Sequence, residues 1–173
     1  MTLPSLTENP TLYPNCCLSL STPLLTHLAS LLPEQPHFTL SIGSGSGLLE
    51  ALITTHHRDV RVEGVEVNSS VNLYIEEQDI NVVTGTWDLC YRAVQAKAWM
   101  FVYPREPKLV KKYIEMYGNG EVDEILWLGP KVDWEDYEGC FTQSGFGDMR
   151  VYGGGDIGGA EFEMVVVVKK TVS

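Results

Sequence analysis

The sequence predicts an α/β protein built on a seven-stranded sheet, and three observations point to it. A short apolar run, Phe38-Thr39-Leu40-Ser41-Ile42, leads into Gly43-Ser44-Gly45-Ser46-Gly47 and then into Leu48-Leu49-Glu50, which reads as a strand, a tight glycine turn and a helix in succession. Beyond it the hydropathy pattern keeps switching between short apolar runs and longer amphipathic stretches, the signature of strands alternating with helices. Finally, only Gly153-Gly154-Gly155-Asp156-Ile157-Gly158-Gly159 separates the last two strand-like runs. That connection is too short for a helical crossover, so the two runs pair as an antiparallel hairpin.

Taken in order, residues 1–20 carry Pro4, Pro10 and Pro14 among Ser, Thr and Asn, and are expected to form an arm or lid without regular structure. Residues 21–173 are expected to form a single domain. Its first helix spans 21–32, with Ser21 or Thr22 as N-cap, Pro23 in the first turn and Leu24, Leu25, Leu28, Leu31 and Leu32 on one face; Pro33 and Pro36 stop it. Strands are expected over 37–42, 61–67, 80–83, 98–103, 122–128, 149–152 and 161–170. Helices fall between the first five, over 47–57, 69–78, 88–96 and 107–117, and a shorter one over 134–141 follows the fifth strand. The run Val165-Val166-Val167-Val168 is apolar enough to lie inside a sheet covered on both faces.

Composition narrows the classes of function. At 173 residues and 44% hydrophobic, the chain is large enough to bury a core without disulfides or metal, and no apolar run approaches the ~20 residues that span a bilayer. No basic cluster followed by an apolar core marks a secretory signal at the N-terminus. Cys16, Cys17, Cys90 and Cys140 form no C-x-x-C pair and read as reduced thiols, which places the protein in the cytoplasm or nucleus. His56 and His57 lie at the end of a helix without a cysteine or acid at ligand spacing, so no metal site is expected. A net charge of −11 disfavours nucleic acid as a partner, and Arg105, Lys108, Lys111 and Lys112 read as a solvated helix face.

The glycine spacing is G-x-G-x-G, not the G-x-G-x-x-G of dinucleotide binders. With its strand and helix it resembles the first motif of the class I S-adenosylmethionine (SAM)-dependent methyltransferases, and the resemblance extends over residues 37–170. It implies a three-layer Rossmann-like fold of strand order 3-2-1-4-5-7-6 with strand 7 antiparallel, SAM as cofactor, and a small molecule or protein side chain as methyl acceptor. It also implies that Gly43, Ser44, Gly45 and Gly47 bind the cofactor, together with the positions below.

An adenosyl ligand on this loop needs an acid for its ribose hydroxyls at the end of the second strand, about 20 residues on. Glu66, followed by Val67, stands 23 positions after Gly43. The alternative is a carboxylate that merely ends a strand at the surface. The third strand runs into Thr84-Gly85-Thr86-Trp87-Asp88, where the family presents an acceptor to the adenine amine; Thr86 and Asp88 fit, and Trp87 is placed to stack. Asp88 as cap of the next helix and Trp87 as core packing are the competing readings.

The family usually carries an acid two residues before the first glycine. Ser41 stands there and is expected to make one hydrogen bond to the cofactor, but a hydroxyl cannot pair ionically with the ammonium of the methionine moiety, which the backbone carbonyls of the glycine loop are the alternative to receive. At the end of the fourth strand, nearest the transferred methyl group, Tyr103-Pro104-Arg105-Glu106-Pro107 offers Tyr103, Arg105 and Glu106 to orient or deprotonate an acceptor. The same residues also read as a rigid turn whose Glu106 caps the next helix. Asp133 is expected to cap the helix over 134–141, and Trp134 with Tyr13 offers walls for an apolar acceptor pocket.

Three functions follow. The first is a small SAM-dependent methyltransferase. The second is a catalytically silent SAM-fold protein that serves in binding or interaction, which Ser41 and the incomplete fourth-strand motif favour. The third, an NAD-dependent oxidoreductase, is disfavoured by the glycine spacing and the closing hairpin.

Overall fold

Strands with apolar residues on both faces assemble the sheet. In the computed structural model, which describes residues 1–171, these are β1 (Thr39–Ile42), β2 (Val62–Glu66), β3 (Ile80–Val82), β4 (Ala98–Val102), β5 (Glu124–Pro130), β6 (Phe146–Gly153) and β7 (Glu163–Lys170). They form one sheet of order β3-β2-β1-β4-β5-β7-β6. The first five are parallel, and β7 runs antiparallel to both neighbours, with Val166 opposite Trp127 on one side and Val151 on the other.

Period-two alternation sends Trp99, Phe101, Ile125, Trp127, Val166 and Val168 to one face, and Met100, Leu126, Leu128, Val165 and Val167 to the other. Burial on both faces accounts for the continuous apolar runs read from the sequence. Burying one such side chain contributes about 1.5–3 kcal/mol.

Helices α1 (Thr22–Leu31) and α2 (Leu48–His56) cover the second face with Leu24, Leu25, Leu28, Leu48, Leu49, Leu52 and Ile53. Helices α3 (Pro107–Tyr117) and α4 (Trp134–Thr142) cover the first with Val110, Tyr113, Tyr137 and Phe141. The Ser21 hydroxyl caps α1 by accepting from the Leu24 amide at 3.1 Å, as its position before Pro23 predicts. No helix among the described residues is long and apolar enough to cross a membrane.

Two expected helices do not form. Residues 69–78 fold as turns ending in a 3₁₀ turn at Glu77–Asp79, because side chains take the backbone groups a helix would use. Asn68 Oδ1 accepts from the Ser70 amide, Asn72 bonds the backbone of Ile75 through both its oxygen and its nitrogen, and the Leu73 and Tyr74 amides reach back to Ser46 O. Residues 88–96 keep only a 3₁₀ turn, Tyr91–Val94, fixed by the Tyr113 hydroxyl accepting from the Cys90 amide and by Trp99 Nε1 donating to Ala93 O. These turns cover the β2–β3 end thinly, and Val82 stays 54% exposed.

Helix caps are also fewer than expected. Asp133 and Glu106 stand at the N-cap positions of α4 and α3, but neither side chain makes a capping bond; a 3₁₀ turn, Lys131–Asp133, already leads into α4.

The N-terminal segment is irregular apart from a bridge between Thr11 and Leu20, yet it is anchored. Leu18 and Leu20 are buried, the Ser19 amide donates to Glu163 Oε1 at 3.2 Å, and the Ser46 hydroxyl donates to Asn15 O at 2.9 Å. The anchoring brings Asn15, Cys16 and Cys17 to the carboxyl ends of β1 and β4.

Candidate functional site

Parallel strands end together, and the loops leaving β1, β2, β3 and β4 surround a cavity of about 690 Å³, within the range of small-molecule sites. It lies at the carboxyl ends of the strands, where open α/β sheets bind ligands. A second, about 950 Å³ concavity at the opposite edge, around His37, Lys97 and Asp123, has no such setting.

The glycine loop forms the floor. Gly43, Gly45 and Gly47 have φ of +79°, +59° and +80°, a region that side chains rarely adopt. Their surroundings differ. A Cβ on Gly43 or Gly45 would meet only open space, so the loop backbone lies bare to the cavity. At Gly47 a Cβ would lie 2.5 Å from Ile75 Cγ1, so this glycine serves packing and is not on the cavity wall. Ser44 contributes its backbone only, since its hydroxyl turns toward Gly64, where a Cβ would come within 2.5 Å of it.

Glu66 ends β2 at the wall, next to Val67. Its Oε1 accepts from the Gly45 amide at 2.7 Å and its Oε2 from the Val67 amide at 3.2 Å. One carboxylate thus links the second strand to the glycine loop and keeps acceptor capacity for hydroxyls.

Thr86, Trp87 and Asp88 also line the cavity. Asp88 caps no helix, because the expected one is absent; it accepts a short hydrogen bond from the Thr84 hydroxyl. Trp87 is 47% exposed and therefore not core packing, and its carbonyl accepts from Lys112 Nζ at 3.1 Å.

On the far side, Tyr103 follows β4 directly with φ +49°, and its hydroxyl donates a short hydrogen bond to Glu163 Oε2. Burial, and then the bond to Glu163 and its charge, push the phenol well above its ordinary range. Tyr103 therefore stays protonated, and its one proton is committed to Glu163. Arg105 and Glu106 are exposed at the rim, and neither side chain makes a hydrogen bond or ion pair with another described residue. Trp134 does not wall the cavity: it stacks on Phe141 at 5.7 Å and packs against Trp127 in the core. Tyr13 packs on the other core cluster instead.

Ser41 is buried behind the floor, and its hydroxyl donates to Glu50 Oε2 at 2.6 Å. Glu50, from the first turn of α2, is 2% exposed yet lines the cavity. Burial raises its carboxyl to about 7; the Ser41 hydrogen bond lowers it, and the Glu66 charge adds to the rise. Reasoning from sequence missed this residue and Glu163. The available signals were a lone acid in the apolar stretch Leu48-Leu49-Glu50-Ala51-Leu52-Ile53 and another heading the apolar run of β7.

No family model matches the chain, and no curated protein matches it in sequence. Solved structures do resemble it. Precorrin-6y C5,15-methyltransferase from Geobacter metallireducens GS-15 superposes with a TM-score of 0.63 at 12% identity, over 98% of this chain and all of that one. The methyltransferase domain of bacterial CtHen1-C gives 0.62 at 12% identity, over 86% and 95% of the two chains. Human N-acetylserotonin methyltransferase, solved in complex with SAM, gives 0.58 at 14% identity over 87% of this chain, which spans 51% of that protein. With the strand order, these likenesses show the class I methyltransferase fold.

Proposed function

We propose that the protein is a small SAM-dependent methyltransferase of the cytoplasm that acts on a small molecule or a protein side chain. One observation carries this reading: the bare Gly43–Gly45 backbone and the Glu66 carboxylate face one cavity, joined by the 2.7 Å bond from the Gly45 amide. That arrangement suits an adenosine. Glu66 would accept from both ribose hydroxyls, and its charge would reject a 2′-phosphate. The loop of Thr86, Trp87 and Asp88 would hold the adenine, with Asp88 accepting from the exocyclic amine and Trp87 stacking on the ring. The antiparallel β7 and the tight glycine spacing speak against a dinucleotide.

Bound SAM supplies an electrophilic methyl group on a sulfonium that leaves as a neutral thioether. The chain then has little proton transfer to arrange, and its task is position and exclusion of water. Tyr103, held by Glu163, would orient an acceptor at the β4 end, and Arg105 and Glu106 at the rim would select its charge. The four cysteines are free, which supports a reducing compartment.

Calorimetry and thermal shift test the cofactor. SAM at 100 times its dissociation constant should stabilise the protein by ~2.7 kcal/mol, about 5–10 °C for a chain of this size. Glu66→Ala should weaken SAM binding at least tenfold while leaving the protein folded. An unliganded wild type that shows no shift with SAM or its demethylated product sinks the reading, and NAD should give none.

A second reading, a SAM-binding protein that transfers nothing, is favoured by one feature: Tyr103 is committed to Glu163, and the free carboxylate of the loop after β4, Glu106, stands exposed at the rim. Labelled-methyl transfer to small-molecule and peptide acceptors separates the two. Binding without transfer would favour the silent form.

A further inference from the structure

We propose that Glu50 supplies the carboxylate missing at Ser41, and that its partner is the α-ammonium of SAM's methionine moiety. This rests on the SAM reading above and adds a residue to it.

Glu50 is an acid without a counterion. Glu50 is almost completely buried, and its one side-chain partner is a neutral hydroxyl, Ser41 Oγ at 2.6 Å. Among the described residues it makes no salt bridge. The titratable groups facing it are the Glu66 carboxylate from β2 and the Cys16 thiol from the N-terminal segment. Neither is a cation, and Cys16 is itself pushed up to about 12 by burial and then by the Glu50 charge, so it stays neutral. A buried carboxylate left this way is unfavourable unless something pairs with it. Glu50 lines the cavity, so a ligand can be that partner.

Position along the sheet edge says which part of the ligand it meets. The loops present Asp88 beyond β3, Glu66 on β2, the glycine loop on β1 and Tyr103 on β4, in spatial order. A ligand laid along that edge with its adenine at β3 and ribose at β2 brings its other end over β1, where Ser41 holds Glu50. SAM carries two cationic groups, and only the ammonium has N–H donors to match a carboxylate. The Ser41 hydroxyl then acts as a positioning group: it fixes one carboxylate oxygen and leaves the other for the ligand.

The pairing moves a proton. Glu50 in the free protein has its carboxyl raised to about 7. At pH 6 it is mostly protonated, and an ammonium beside it favours the ionised form, so binding releases about one proton to solvent. Affinity for SAM should therefore rise with pH up to about 7, below the range in which the ligand's own α-amino group titrates.

Calorimetry at pH 6 in two buffers of different ionisation heat reads this release directly. The wild type should release close to one proton with SAM and almost none with 5′-methylthioadenosine, which keeps the adenosine and lacks the amino acid. Glu50→Gln, which keeps an acceptor for Ser41, should bind SAM at least tenfold more weakly and 5′-methylthioadenosine within about twofold of wild type. The proposal is overturned if wild type binds SAM without releasing a proton, if Glu50→Gln keeps wild-type SAM affinity, or if it loses both ligands equally. A wild type that binds neither ligand overturns the SAM reading itself, and is recognised before any substitution is made.

Discussion

Gly45 and Gly47 stand two residues apart, both left-handed, and the surroundings of each give them different duties. Alanine at either position costs about 1–2 kcal/mol in backbone strain. At Gly47 the added carbon also collides with Ile75 and Asn72, and overpacking adds about 1–3 kcal/mol. We therefore expect Gly47→Ala to lower unfolding free energy by roughly 3 kcal/mol in urea titration. Gly45→Ala should cost only about 1 kcal/mol, yet weaken SAM binding strongly because its side chain stands where the ligand approaches. Equal stability losses in the two variants would contradict this division. That the glycine loop and Glu66 stand together was legible in the sequence because one strand and one tight turn set their spacing. Glu50 was not: an acid in a helix's first turn has an ordinary explanation in the helix dipole, and only the fold shows that the residue is buried against Ser41.

The inner strands β1, β2, β4, β5 and β7 were legible at the scale of elements because burial on both faces leaves continuous apolar runs. The edge strands β3 and β6, which are partly exposed, were legible from the short apolar runs and turns that bound them. Over 69–78 and 88–96 the apolar periodicity is real but serves turns, so it does not mark helices there. Ile75 inserts against Gly47 and Gly64, and asparagine side chains outcompete the helical hydrogen bonds. Ser21 shows the opposite case, in which a local signal and a tertiary contact agree. Its hydroxyl accepts from Leu24 N at 3.1 Å and donates to Gly158 O at 2.6 Å, tying the start of α1 to the loop between β6 and β7. Ser21→Ala removes a cap and strands a carbonyl, at a cost of about 2 kcal/mol. The melting temperature should fall by about 4–8 °C, with SAM affinity unchanged because the cap lies outside the cavity. A drop in affinity would mean that α1 positions the site.

Across the whole molecule, buried carboxylates set opposing pH dependences. Burial alone would raise the Glu63 carboxyl, but hydrogen bonds from Arg92 and Asn81 and the charges of Arg92 and Arg61 hold it below the usual carboxylate range. Its contribution is complete above the unfolded value of about 4.5 and is lost as pH falls through the lower folded value. Glu50 and Glu124 act in reverse: burial lifts both to about 7, with Glu124 partly relieved by Lys169. The stability they lend as neutral acids is complete below about 4.5 and declines until pH passes about 7. Between pH 5.5 and 8 the Glu50 shift alone removes about 2 kcal/mol, at 1.36 kcal/mol per unit. The unliganded protein should accordingly be more stable at pH 5.5 than at pH 8. Glu50→Gln should gain roughly 3 kcal/mol at pH 8, where the penalty already present at pH 5.5 is included, and flatten much of the slope. Saturating SAM should recover the loss in the wild type, whereas the variant has little loss to recover. That contrast gives Glu50 a physical rationale: a residue that weakens the empty fold at neutral pH makes sense where a cationic ligand repairs the deficit. Urea midpoints at the two pH values, with and without SAM, measure all four quantities. A wild-type midpoint that does not fall with pH would remove the buried carboxylate from the account.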